Sequence, residues 1–216
     1  MKIEVEIVTG FLGAGKTSFI NSLIKESMVN GEKIIVVQLE KGEGKISSKL
    51  LENKSVRLIV INELKEVNDK MIYLIKKYVP NRIIIEFNGT WDLQELINIL
   101  DEKNYREYIN IETIFFIGDA KNLMLYIENM GNFLLPFIQY SNVLVLNNTD
   151  DCDNIKIKST LDILRNLNPT AYILEVKNKY LFNASLKESK ILDNGILKKI
   201  KIKIGNSSNV LRRKKE

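Results

Sequence analysis

The sequence contains a single cysteine, Cys152, and no histidine. A disulfide framework is excluded. So are a zinc site of four cysteines or of paired cysteines and histidines, a Ser-His-Asp triad and a Cys-His dyad within the chain. No apolar run approaches the roughly 18 residues of a membrane helix. The start, MKIEVEIVTG, has no signal-type hydrophobic segment, so the expected setting is the cytoplasm, with no membrane span. Charge of one sign is also scarce. Lys and Arg number 32 against 27 Asp and Glu, and Arg212, Arg213, Lys214 and Lys215 supply four of the cations. The body is close to neutral, so the basic pI gives no ground for nucleic-acid binding. Proline is rare, at three, and neither an internal repeat nor a low-complexity linker divides the chain.

What is present is the composition of a folded domain, 45% hydrophobic and 27% charged over 216 residues. That length suits one domain with a substantial core. We expect the domain to occupy 1–205, followed by a basic, flexible tail over 206–216. Ile3, Val5 and Ile7 alternate with polar residues, as in a strand. Helical spacing follows over 17–28. Further strands are expected at 33–39, 56–61, 82–87, 112–118, 143–146 and 171–176, with amphipathic helices at 64–75, 93–100 and 155–167. The alternation Ile200-Lys-Ile-Lys-Ile204 predicts an exposed or edge strand. Strands alternating with helices predict an α/β fold, doubly wound around a mostly parallel sheet.

The strongest motif is Gly10-Phe-Leu-Gly13-Ala14-Gly15-Lys16-Thr17, a match to GxxxxGK[ST] between the first predicted strand and helix. Glycines let backbone N–H groups curl towards phosphate oxygens, and the helix N-terminus adds partial positive charge. Lys16 reaches the outer phosphates and Thr17 offers its hydroxyl to Mg²⁺, with Ser18 next on the same turn. These features predict a P-loop nucleoside triphosphatase core.

Two carboxylates end predicted strands. Glu86 closes RIIIEF, where P-loop enzymes hold Mg²⁺ or orient the attacking water; the alternative is a solvated strand-end acid. Asp119 lies in the same kind of position, facing the crevice at the strand ends, or else capping the following helix. Glu40 and Glu43 sit on a glycine-containing loop. They form a candidate hard-metal pair near the γ-phosphate, or a solvated acidic loop beside Lys41 and Lys45. Cys152, among Asp150, Asp151 and Asp153, has a disfavoured thiolate.

Taken in order, TGFLGAGKTSFIN (9–21), Glu40-Lys-Gly42-Glu43, Glu86-Phe-Asn-Gly89-Thr-Trp-Asp92, Gly118-Asp119-Ala120 and Asn147-Asn148-Thr149-Asp150 resemble the CobW/HypB/UreG family of P-loop GTPases, in particular its CobW branch. The resemblance covers about residues 3 to 176. It implies GTP/GDP and Mg²⁺ as ligands, slow GTP hydrolysis, and nucleotide-dependent homodimerisation. It further implies assistance in delivering a metal or metal cofactor to a metalloenzyme or corrinoid-protein client. Lys16, Glu86, Asp119 and Glu40 become the candidate catalytic residues. Thr17, Glu86, Asp119, Glu40 and Glu43 become the candidate metal ligands, and Gly10, Gly13, Ala14, Gly15, Lys16, Thr17, Ser18, Asn147 and Asp150 the candidate nucleotide contacts.

Asn147 and Asp150 stand where that family reads guanine. A carboxylate there accepts both the N1–H and the exocyclic amine of guanine, which adenine does not offer; the alternative is an Asx-rich turn. Three departures bear on function. The family's Cys-x-Cys-Cys segment is replaced by VRLIVINELKE (56–66), its Lys is Asn at 148, and the chain ends soon after the seventh expected strand. The first puts transition-metal handling in question. A nucleotide-holding adaptor without turnover is the alternative function, and an ATP-dependent kinase is disfavoured by the lack of an arginine-rich lid.

Overall fold

The computed structural model describes residues 2–39, 44–189, 191–192 and 195–213. Seven strands, β1 (Ile3–Thr9), β2 (Ile34–Gln38), β3 (Val56–Val60), β4 (Arg82–Glu86), β5 (Ile109–Asp119), β6 (Val143–Asn147) and β7 (Tyr172–Glu175), form one sheet in the order β3-β2-β4-β1-β5-β6-β7. Every adjacent pair is parallel. Nine α-helices occur among the described residues: α1 (Lys16–Ser27), α2 (Ser48–Leu51), α3 (Val67–Tyr78), α4 (Leu93–Leu100), α5 (Lys103–Arg106), α6 (Leu123–Gln139), α7 (Asn154–Leu167), α8 (Phe182–Ser189) and α9 (Ile196–Arg213). The expected doubly wound α/β architecture is therefore observed.

Successive side chains of a strand point to opposite faces, and both faces here are covered. Ile83 and Ile85 enter the core beneath α3, α4, α6 and α7, while Ile84 between them enters the core beneath α1 and α8. Both inner strand surfaces are thus apolar, which is why β2 and β4 read as unbroken hydrophobic runs. Chain order reverses on either side of β1, so the crevice of the fold opens at the carboxyl end of that strand.

Three differences from the sequence reading stand out. Residues 200–204 are helical, inside α9. Burial there follows a helical period: Lys198, Ile202 and Gly205 face the body, while Ile200 and Ile204 are exposed. Five alternating residues cannot distinguish a strand from a helix whose exposed face carries isoleucine. The tail boundary after Gly205 also falls within this helix, which continues to Arg213. Asn206 donates to the Gly31 carbonyl at 2.9 Å and accepts from Asn81 at 3.1 Å, anchoring the helix beyond the expected boundary. The sequence reading assigned no element to 123–139. That helix contains Pro136 and a non-helical Met130 (φ −133°, ψ 26°), both of which obscure its pattern. No helix among the described residues is long and apolar enough to cross a membrane.

Candidate nucleotide and magnesium site

The loop from β1 to α1 passes through three glycines at positive φ, Gly10 (134°), Gly13 (79°) and Gly15 (105°). Gly15 is the N-cap of α1 and no side chain caps that helix, so its leading amides face an open cradle suited to phosphate oxygens. A Cβ on Gly10 would lie 2.2 Å from the Ile117 carbonyl oxygen, and one on Gly89 would lie 2.3 Å from the Gly10 carbonyl oxygen. The loop is thus wedged between β5 and the turn after β4, which explains Gly89 without recourse to chemistry. Lys16 is buried, and its Nζ donates to the Gly10 and Phe11 carbonyls at 2.8 and 3.0 Å. Ser18 follows, half-buried on α1.

Thr17 and Glu86 meet directly. The Thr17 hydroxyl donates to Glu86 Oε1 at 2.5 Å, and both residues are buried. Glu86 Oε2 accepts from the Gln38 amide at 2.6 Å. Gln38 is the in-register partner of Glu86 across β2 and β4. Sequence reading missed Gln38, although a polar residue ending the apolar strand IIVVQ carries the same signal as Glu86 ending RIIIE. A hydroxyl and a carboxylate at the mouth of a phosphate cradle are the hard oxygen donors that suit Mg²⁺.

Glu40 and Glu43 lie outside the described residues. The end of their loop is placed, however. A Cβ on Gly44 would lie 2.7 Å from Thr17 Oγ1, and Asn21 of α1 binds the Lys45 carbonyl at 3.1 Å and the Ser47 amide at 2.9 Å. Residues 44–47 therefore lie against α1 at Thr17 and Asn21.

Asp119 is not joined to the Thr17–Glu86 pair. Its oxygens accept from the Lys121 backbone at 3.1 Å, the Asn122 amide at 3.1 Å and the Asn148 amide at 3.4 Å. The Asp119 carboxylate thus braces the turn after β5 and does not cap the following helix, whose N-cap is Asn122. Asp119 also lines a cavity of about 140 Å³ beside phosphate-loop residues 11–14. Among the described residues, no group of three or more His, Cys, Asp or Glu side chains converges as a metal site.

Asn147 and Asp150 separate into two roles. The buried Asn147 donates to the Ala14 carbonyl at 3.1 Å, bracing the phosphate loop, while its Oδ1 has no partner among the described residues. Asn148 adopts the left-handed conformation (φ 60°), which Asn tolerates better than most residues. That turn leaves Asp150 exposed at the rim, its amide bonded to the Lys177 carbonyl at 3.1 Å and its Oδ2 to the Asn178 amide at 3.1 Å. Asn178, on the loop after β7, orients the carboxylate; only the fold brings it there.

Residues 4–175 match the family model described as CobW/HypB/UreG, nucleotide-binding domain. The chain is 24% identical to the zinc-regulated GTPase metalloprotein activator 1 of Dictyostelium discoideum, over 90% of this chain and 49% of that protein. It is 26% identical to the zinc chaperone YjiA of Escherichia coli, over 68% of this chain and 50% of that one. The chain thus spans about half the length of the curated relatives it matches. Its fold superposes on the Zn(II)-bound YjiA GTPase of E. coli with a TM-score of 0.61, at 20% identity, over 80% of this chain and 57% of that one. The hydrogenase maturation factor HypB of Archaeoglobus fulgidus gives 0.55 at 18% identity, over 87% and 90% of the two chains. With the family model covering most of the chain and its phosphate loop built as described, this protein belongs to the CobW/HypB/UreG nucleotide-binding domain family.

Proposed function

We propose that this chain binds GTP with Mg²⁺, hydrolyses it slowly to GDP and phosphate, and uses that cycle to assist delivery of a metal or metal-containing cofactor to a client protein. The observation that carries the reading is the buried Thr17–Glu86–Gln38 chain of hydrogen bonds at the mouth of the phosphate cradle. The residues present fit both ligands: among the described residues no side chain caps α1 and none partners the buried Asn147 Oδ1, and the Thr17 and Glu86 oxygens are hard donors. Bound Mg²⁺ would neutralise charge on the outer phosphates.

The chain's own contribution is positional. Lys16 supplies the cation on the loop, Glu86 fixes the direction of the Thr17 hydroxyl, and Gln38 fixes Glu86. Asp150 presents acceptors to guanine and rejects adenine, which lacks the matching donors. Glu40 and Glu43 are proposed to sense the γ-phosphate, since Gly44, next along the chain, lies against Thr17. Asp119 is proposed to act on the nucleotide through the Asn148 turn. The relatives' zinc-related names support a metal-linked role; a cytoplasmic setting, a homodimer and a metalloenzyme or corrinoid-protein client are proposed with it.

The test is nucleotide retention and phosphate release. Purified protein should carry a guanine nucleotide by mass spectrometry and release phosphate from GTP only with Mg²⁺. Asp150→Asn should reduce GDP-over-ADP preference by roughly tenfold, the equivalent of one charge-assisted hydrogen bond. Equal binding of GDP and ADP by the unmutated protein would remove the base-reading role. Tight GTP binding without phosphate release would favour an adaptor that holds nucleotide.

A further inference from the structure

A second concave surface lies at the far end of the sheet from the phosphate loop. Lys33 precedes β2, Lys54 and Arg57 flank the start of β3, and Lys77 and Tyr78 end α3 just before Pro80. In a parallel sheet these strand beginnings are opposite the carboxyl ends that hold Glu86 and Gln38. The six residues line a cleft of about 280 Å³, and no acidic side chain among the described residues lines it.

Lys65, Lys70, Arg106, Lys121 and Arg165 each pair with a carboxylate. Lys33, Lys54 and Arg57 pair with none among the described residues. Two of the cations are held in place. The Arg57 guanidinium lies 4.5 Å from the centre of the Tyr78 ring, and Lys77 Nζ lies 5.3 Å from it. Stacking on an aromatic face limits the freedom of a guanidinium, so less entropy is lost when it binds an anion.

The backbone at this cleft is strained. Val79, between Tyr78 and Pro80, has φ 47° and ψ 61°. A β-branched residue in the left-handed region is an outlier, and such strain persists where the surrounding structure needs a particular geometry. Here it sets the turn that presents Tyr78 and Pro80 to the cleft.

We propose that this cleft binds a small polyanion bearing adjacent phosphate groups. A single carboxylate would leave most of Lys33, Lys54 and Arg57 unmatched. Each terminal phosphate brings about −1.5 to −2 charge near neutral pH, and a guanidinium takes phosphate oxygens in pairs. The source is either free pyrophosphate-like anion or the diphosphate of a nucleotide, and their shared chemistry is the pair of phosphates. The proposal does not depend on the guanine-nucleotide reading, because it concerns the opposite end of the strands.

The experiment is a calorimetric titration of GDP-saturated protein with pyrophosphate, and separately with ADP, at low salt. Pyrophosphate should bind at one site. The double variant Lys54→Ala/Arg57→Ala, with both changes at exposed positions, should weaken it at least tenfold with unchanged circular dichroism. Lys16→Ala should leave it intact, and raised salt should weaken it. Equal binding of ADP would show that the phosphates alone are recognised, and tighter ADP would identify a nucleotide as the ligand. No pyrophosphate binding, undiminished binding in the double variant, or loss of binding in Lys16→Ala would each overturn the proposal.

Discussion

Glu86 ends β4 with its two oxygens held by different elements, Oε1 by the Thr17 hydroxyl of α1 and Oε2 by the Gln38 amide of β2. A carboxylate gripped in this way cannot rotate away from the phosphate cradle. Gln38→Leu keeps the strand's apolar character and removes the amide donor from a buried carboxylate. It should cost about 1–3 kcal/mol of stability, the usual range for a lost partner at a buried polar group. It should also weaken Mg²⁺ binding to the GDP complex several-fold, read from Mg²⁺-dependent release of a fluorescent GDP analogue, while Gln38→Asn recovers part of that loss. Unchanged Mg²⁺ dependence in Gln38→Leu would reduce Gln38 to a packing residue.

Helix α9 shows how an element can hide behind a local pattern. As a strand, 200–204 would place Ile200, Ile202 and Ile204 on one face, and truncating any of the three would cost the same. As the observed helix, only Ile202 is buried, 3% exposed against 50% and 62% for Ile200 and Ile204. Ile202→Ala should therefore cost about 2–4 kcal/mol in denaturant unfolding. Ile200→Ala and Ile204→Ala should stay within about 0.5 kcal/mol. Three equal effects would restore the strand.

The same helix closes an ionic knot beneath the sheet. Arg82 Nε lies 3.0 Å from Glu32, Lys198 lies 3.3 Å from Glu32, and Arg82 Nη1 lies 3.4 Å from Glu6. Burial raises the Glu6 carboxyl above its ordinary 4.5, outweighing the lowering by Arg82 and Lys198. The native state then keeps a proton that the unfolded chain releases. This contribution to stability is present below the ordinary value and is lost as pH rises through the raised one. Glu6→Gln removes it. The stability difference, wild type minus variant, should fall as pH climbs above the ordinary carboxyl value of 4.5, with a slope of at most about 1.4 kcal/mol per pH unit. A flat or rising difference would show that the ion pairs with Arg82 and Lys198 dominate Glu6 after all.

At the scale of the whole molecule, one thiol and no imidazole meet a site made of oxygens. Soft and borderline metals depend on sulfur and nitrogen ligands for affinity. The nucleotide-bound monomer should take Mg²⁺ and show no submicromolar site for Zn²⁺, Co²⁺ or Ni²⁺. Calorimetric titration of metal-stripped protein with each ion, with and without a non-hydrolysable GTP analogue, measures this. A tight stoichiometric transition-metal site in the monomer would contradict the prediction and make the chain itself a metal carrier. If the prediction holds, the ligands for any delivered metal lie outside residues 1–216, with this domain supplying the nucleotide cycle.

The sequence by itself determined the β1–loop–α1 phosphate cradle, the strand-ending Glu86 and the parallel α/β plan. Those features are written in residues that are neighbours along the chain, where glycine conformation, helix onset and period-2 apolar runs act locally. It did not determine which strand-end groups meet. Gln38 and Glu86 are 48 residues apart and touch only because β2 and β4 pair in register. Asn147 braces Ala14 across 133 residues of chain, and Asn178 reaches Asp150 only after β7 has joined β6. Asp119 is a suitable Mg²⁺ ligand by type, yet the turn after β5 takes up its oxygens. The helical state of 200–204 was likewise decided by the fold. One face of that segment found the base of the sheet to cover, and five alternating residues hold too little information to choose a period on their own.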